Sequence, residues 1–162
     1  KNYLKPKVFT KIRDAIFGPD FPWFFQKNVT YVNRKETNTF AFTHMFYVDK
    51  EPLGTAPLYS SEYNIIKPLL DTIKMKTLIR AKVNFYPNHG HQYTHPPHTD
   101  FSYKHKGCLY SLNTTNGYTQ FPDGTKIIGK ENQAMFFDSS KPHQSATPTD
   151  EKCRVNININ YL

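Results

Sequence analysis

His98 and Asp100 stand two residues apart, His143 follows much later, and Arg154 lies eleven residues beyond it. Two imidazoles and one carboxylate suit an open-sided Fe(II) site, in which protein ligands fill three positions on one face. The other positions stay free for oxygen and a chelating cosubstrate. An arginine shortly after the second histidine could hold that cosubstrate's far carboxylate. Taken singly these residues say little: a lone histidine is more often a satisfied polar side chain than a ligand, and His-x-Asp arises often by chance. The signal is the complete set, in this order, on a β-rich half of the chain.

Strands must position such a set. Side chains two apart on an extended segment project to one side, so His98 and Asp100 would share a face. His143 sits in the turn-like Ser139-Ser140-Lys141-Pro142-His143, just after an apolar strand at residues 133–137, and would close that face from a distance. From residue 77 onward the pattern is β, with short runs expected near 81, 99, 108, 119, 127, 136, 144 and 156. Turn signals separate them at Asn88-His89-Gly90, Asn116-Gly117 and Asp123-Gly124. This series predicts a mainly β fold with flanking helices, a double-stranded β-helix of jelly-roll or cupin type.

Two of the strands alternate unusually. Arg80, Lys82, Asn84 and Tyr86 oppose Ile79, Ala81, Val83 and Phe85, while Arg154, Asn156, Asn158 and Asn160 oppose Val155, Ile157, Ile159 and Tyr161. Period-two alternation by itself says only that one face is buried. Asparagines, however, are poor strand formers to leave on a plain outer surface. If helices cover the apolar faces, the polar faces line a barrel cavity and bring Arg154 into the same interior as the metal.

Upstream, a helix is expected over residues 7–17, with Pro6 near its first turn, Gly18 after its end and Val8, Ile12, Ala15 and Ile16 as its apolar face. The aromatic run Phe21-Pro22-Trp23-Phe24-Phe25 should pack on the core. A strand follows over residues 39–48. A second helix should run from an N-cap at Ser60 or Ser61 to residue 74, with Tyr63, Ile66, Leu69, Leu70 and Ile73 at helical spacing. Residues 1–76 then support a β-helix core over 77–162 in one domain, and 162 residues are enough to bury a core.

Composition narrows the alternatives. Hydrophobic content is 38%, and 13 Phe and 11 Tyr supply much of the buried area. The two cysteines, Cys108 and Cys153, are too few for a disulfide framework and read as buried free thiols in strands. No apolar run approaches the roughly 18–20 residues that span a bilayer. The first residues lack the apolar core of a signal peptide, so a cytoplasmic location is expected and the acceptor triplets Asn28-Val29-Thr30 and Asn113-Thr114-Thr115 carry little weight. The net charge of +8 permits a nucleic-acid or acidic partner, but the lysines are scattered and read as a solvated surface.

Other histidines and metals compete. His95 lacks an Asp two residues on and loses to His98, while His89 and His91 are expected in a loop over the site mouth; His44 and His105 read as structural. Two histidines and a carboxylate also suit hydrolytic zinc, but a hydrolase would want a further general base and has no need of Arg154. A non-catalytic basic jelly-roll binding module is the other alternative.

The chain resembles the Fe(II)/2-oxoglutarate oxygenase superfamily, in its prolyl-4-hydroxylase-like branch, from about residue 82 to 162. The resemblance lies in Asn84-Phe85-Tyr86-Pro87, His98-Thr99-Asp100, Leu109-Tyr110-Ser111-Leu112-Asn113, Phe136-Phe137-Asp138, His143 and Arg154-Val155-Asn156-Ile157-Asn158. Residues 116–126 look closest to small stand-alone oxygenases of marine bacteriophages. The resemblance implies iron on His98, Asp100 and His143, and the C5 carboxylate of 2-oxoglutarate on Arg154. It also implies Tyr86 beside the cosubstrate, with Asn84 and Asn156 as polar neighbours. It further implies O2-dependent hydroxylation of a C–H bond with release of succinate and carbon dioxide, with a peptidyl or prolyl substrate by analogy. An Asp at position 100 speaks against a halogenating variant. Ser111 stands where relatives carry a tyrosine that reaches the cosubstrate, and Tyr110 would point to the opposite face. Asn160 stands where DNA-repair relatives carry a second arginine, which speaks against alkylated-base repair.

Overall fold

The apolar faces of the two alternating strands set the layering, because each must be covered by something. The computed structural model describes residues 2–29, 39–49 and 56–162. Within them lie α1 (Pro6–Phe17), β1 (Phe24–Gln26), β2 (Ala41–Val48), β3 (Leu58–Tyr59), α2 (Tyr63–Leu70), β4 (Leu78–Pro87), β5 (Lys106–Ser111), β6 (Tyr118–Gln120), β7 (Lys126–Ile128), β8 (Gln133–Asp138), β9 (Gln144–Ser145) and β10 (Cys153–Tyr161). Thr30 of the first acceptor triplet lies outside the described residues.

The larger sheet runs β1-β2-β4-β10-β5-β8, with β3 on β2, and the smaller runs β7-β6-β9. The pairings of named strands are antiparallel. Against one face of the larger sheet pack Phe9, Ile12 and Ile16 of α1 and Ile66, Leu69 and Leu70 of α2, meeting Val83, Tyr110, Val155, Ile157 and Ile159. The helices therefore take the apolar face, and the polar face turns inward between the sheets. β10 is buried along its whole length. This is the mainly β double-stranded β-helix with flanking helices that the strand pattern implies.

The register makes the inward face explicit. Arg154 pairs with Tyr86, Asn156 with Asn84, Asn158 with Lys82 and Asn160 with Arg80. Side chains at directly paired positions share a face, so the two polar rows form one floor.

Local expectations hold unevenly. In α1 Phe9 is buried and Ala15 is exposed, because the helix turns its Phe9–Ile12–Ile16 stripe inward. In the aromatic run Phe21 is buried, but Phe24 and Phe25 are 58% and 60% exposed on β1, at the sheet edge. The second helix ends at Leu70 rather than 74. Pro68 removes a backbone donor within it, and the chain winds on through Thr72 N–H to Leu69 O (3.1 Å) and Ile73 N–H to Leu70 O (3.0 Å). Glu62 occupies the N-cap, and Ser60 Oγ accepts the Glu62 N–H at 3.2 Å.

The strand expected near 99 is replaced by two isolated bridges, Thr94 with Ala146 and His98 with His143. Pro96 and Pro97 lie between them and have no N–H to donate, so a continuous ladder cannot form there. Cys108 and Cys153 are free and buried, as expected. No helix among the described residues is long and apolar enough to cross a membrane.

Candidate metal centre

The His98–His143 bridge brings two distant parts of the chain side by side, with each backbone N–H donating to the other's carbonyl at 2.9 Å. The rings follow, with centroids 4.8 Å apart. Asp100 comes two residues after His98, and its Oδ2 lies 3.9 Å from His143 Nε2. One donor atom from each of His98, Asp100 and His143 falls within 4.8 Å of the others.

The donor set fits a divalent metal. His143 Nδ1–H donates to the Lys141 carbonyl at 3.0 Å, which leaves the lone pair on Nε2, toward Asp100. His98 Nδ1 is buried with no hydrogen-bond partner among the described residues. Burial first, then the neighbouring His143, pulls the His98 pKa down, which favours the neutral, ligating imidazole.

Asp100 is held by a ring of donors. Burial alone would push its carboxyl up, but Arg80, Ser139 and Asn160 outweigh that and hold it well below the usual carboxylate range. Arg80 Nη2 donates to Oδ1 at 2.6 Å. Ser139 Oγ and Asn160 Nδ2 donate to Oδ2 at 2.5 and 2.9 Å, with Asn158 Nδ2 at 3.3 Å. Arg80 Nε also donates to Asn160 Oδ1 at 3.1 Å, closing the ring, and its guanidinium stacks over Phe101. Gly107 makes the approach of Ser139 possible, because a Cβ there would sit 2.8 Å from Ser139 Cβ.

A cavity of about 230 Å³ opens beside this centre, lined by His98, His143, Lys82, Asn84, Tyr86 and Arg154, among others. At its far end Arg154 is 2% exposed. Nη1 donates to the carbonyls of Tyr118 (2.8 Å) and Ala146 (3.3 Å), and Nη2 donates to Thr119 Oγ1 (2.9 Å). These use three of the five guanidinium N–H groups, and buried Nε has no partner among the described residues. A Cβ on Gly117 would lie 2.8 Å from Arg154 Cδ, so that glycine leaves room for the arginine stem. The Tyr86 ring lies 5.9 Å below the guanidinium, and burial pushes its phenol pKa up. Asn84 Nδ2 donates to Asn156 Oδ1 at 3.2 Å on the cavity floor.

The remaining histidines stand apart. His95 is buried, shares a 2.9 Å hydrogen bond with Ser145 Oγ and packs on Tyr86. It is outside the metal cluster. His89 and His91 are not among the residues that line the cavity. Their rings pack on Tyr93, and His89 also on Phe40. His44 donates to the Pro22 carbonyl and His105 to the Tyr103 carbonyl, both structural contacts. Tyr110 points into the core, where its hydroxyl donates to Asn132.

Sequence reading gave no site role to Arg80, Ser139 or Lys82, nor to the Thr119 contact. The polar alternation of β4 does single out Arg80 and Lys82, but nothing local distinguishes a carboxylate partner from a solvated cation.

No family model matches the sequence, and no curated protein matches it. Solved structures do resemble the fold. The non-heme α-ketoglutarate-dependent epimerase SnoN from nogalamycin biosynthesis superposes with a TM-score of 0.63 at 11% identity, over 99% of this chain and 74% of that one. A prolyl hydroxylase from Trichoplax adhaerens, solved with a hypoxia inducible factor peptide fragment, gives 0.60 at 13% identity, over 99% and 81%. A Pseudomonas putida prolyl-4-hydroxylase gives 0.58 at 10% identity, over 99% and 90%. At such identities the likeness shows the fold alone: the chain shares the double-stranded β-helix of these structures.

Proposed function

We propose that the protein is an Fe(II)- and 2-oxoglutarate-dependent dioxygenase that hydroxylates a C–H bond, with residues 1–162 acting as one oxygenase domain. The observation that carries this reading is a single cavity with His98 and His143 of the His98–Asp100–His143 cluster on one side and, on the other, a buried arginine that has no carboxylate partner among the described residues. His98, Asp100 and His143 would hold the iron. When bound, iron and 2-oxoglutarate together couple reduction of O2 to oxidative decarboxylation, releasing succinate and carbon dioxide and leaving one oxygen atom on the substrate carbon.

The chain supplies placement. Arg154 keeps N–H groups free for the C5 carboxylate, and Thr119 and two backbone carbonyls fix its plane. Tyr86 packs beneath that plane, and the Asn84–Asn156 pair offers oriented amides along the floor. The donors around Asp100 keep it ionised and fixed in rotation. Leu109 and Phe137 line the cavity with apolar surface that excludes water.

A prolyl or other peptidyl residue is the substrate by analogy with the hydroxylase neighbours. The kinship with phage oxygenases is supported by residues 116–126.

Anaerobic addition of Fe(II) and then 2-oxoglutarate should produce the visible charge-transfer band of the chelate. Oxygen should then release succinate in wild type and not in His98→Ala. Zinc retention with indifference to 2-oxoglutarate would mark a hydrolytic site instead, and absence of metal binding would mark a binding module.

A further inference from the structure

Among the described residues, the cavity contains one cation that neither iron nor cosubstrate uses. Lys82 projects from the middle of β4 into the same space as His98 and His143. In the ladder it lies opposite Asn158 of β10 and Met45 of β2. Neither can neutralise it, and Asn158 spends its amide N–H on Asp100. No hydrogen bond or ion pair joins Lys82 to any described residue. The described residues lining the cavity include Lys82 and Arg154 but no Asp or Glu. Asp100 attracts Lys82 through space without a direct ion pair, and it is already paired with Arg80 at 2.6 Å.

Charge arithmetic sharpens this. A divalent metal, Arg80 and Arg154 oppose Asp100 and the two carboxylates of 2-oxoglutarate, which leaves one net positive charge before Lys82 is counted. Lys82 adds another in a water-poor site, where an unpaired cation is costly. An anion is therefore missing from the complete complex, and its place is beside the metal-binding histidines, where the reacting carbon must lie.

We infer that Lys82 receives a carboxylate of the primary substrate, so that the oxidised C–H bond lies within a few bonds of an acidic group. The inference rests on the oxygenase reading above. It makes the substrate either a free carboxylic acid or a peptide with an acidic side chain at the reacting position, two sources of one chemistry.

The test uses Fe(II)- and 2-oxoglutarate-loaded full-length protein and follows succinate release. One panel pairs free carboxylic acids with their methyl esters; the other pairs Asp- or Glu-containing peptides with their Asn or Gln counterparts. In the panel that supplies the substrate, the acid should have a KM at least about tenfold below its neutral partner, as expected for one charge-assisted contact. Lys82→Met should erase that preference, and Lys82→Arg should retain it. Lys82→Gln, with circular dichroism on each variant, guards against a folding defect. Equal use of neutral and acidic members, or no response to any acid, overturns the inference. So does a rise in the 2-oxoglutarate KM of Lys82→Met that matches Arg154→Ala, which would make Lys82 a cosubstrate anchor. Absence of the Fe(II)–2-oxoglutarate visible band in wild type would instead overturn the oxygenase reading and this inference with it.

Discussion

The two ends of the β10 polar row solve opposite electrostatic problems. At one end Asp100 is an anion surrounded by donors from Arg80, Ser139, Asn158 and Asn160. At the other, Arg154 is a cation surrounded by neutral acceptors, two carbonyls and a hydroxyl. The first end is charge-balanced within the protein. The second holds a buried guanidinium with no carboxylate partner among the described residues. A balanced buried pair contributes to the protein's own integrity, whereas an unbalanced one stores affinity for a ligand.

That contrast predicts stability changes that differ in kind. Asp100→Ala strands Arg80 in a largely buried position, so urea unfolding should show a loss of about 3–5 kcal/mol. Divalent-metal affinity, read by calorimetry, should fall by more than about 100-fold, since even second-layer partners of a metal cost 10- to 100-fold. Arg154→Met should leave the metal-free fold within about 1 kcal/mol of wild type, because it removes an unpaired buried charge. Its cost should appear in 2-oxoglutarate affinity, about 10- to 100-fold for a bidentate charged contact. Equal destabilisation by the two variants would break the comparison.

Smaller changes sharpen it. Gly117→Ala places a methyl 2.8 Å from Arg154 Cδ and 3.0 Å from the Ala146 carbonyl. The displaced guanidinium should weaken 2-oxoglutarate by about tenfold, for an overpacking strain of 1–3 kcal/mol, with metal affinity unchanged in the same titration. A further effect is expected on pH dependence. Burial pulls the His95 pKa down to about 4, against an unfolded value of about 6.5. The unfolded chain therefore takes up the proton first as pH falls. This contribution to stability is complete above about pH 6.5 and is lost as pH falls toward the folded pKa, by at most about tenfold in the unfolding constant per pH unit. Unfolding of the metal-free protein at pH 7.5 and pH 5 should show the decline, and His95→Gln should make it shallower, leaving the part that His98 contributes.

Much of this was legible along the chain. Alternation in residues 80–86 and 154–160 marked two strands with polar and apolar faces, and three asparagines on one face pointed to an interior. The acid and two histidines were recognisable by type and order. Other features were not. The strand expected near 99 failed because Pro96 and Pro97 remove the donors a ladder needs, although the single His98–His143 bridge still sets the rings side by side. Phe24 and Phe25 read as core by composition alone, yet lie at a sheet edge. Arg80, twenty residues before Asp100, carried no local sign of its partner.

The sequence by itself determined the strand faces, the order of the candidate ligands and the chemical types available to them, because period-two projection and side-chain chemistry are local properties. Only the tertiary structure decided that β4 and β10 pair in the register that sets Arg80 beside Asn160 and Lys82 beside Asn158. It alone decided that Arg80 pairs with Asp100 while Lys82 and Arg154 face a cavity lined by no carboxylate among the described residues. The physical reason is that charge balance depends on distances between segments far apart in the chain, and the hydrogen-bonded register sets those distances.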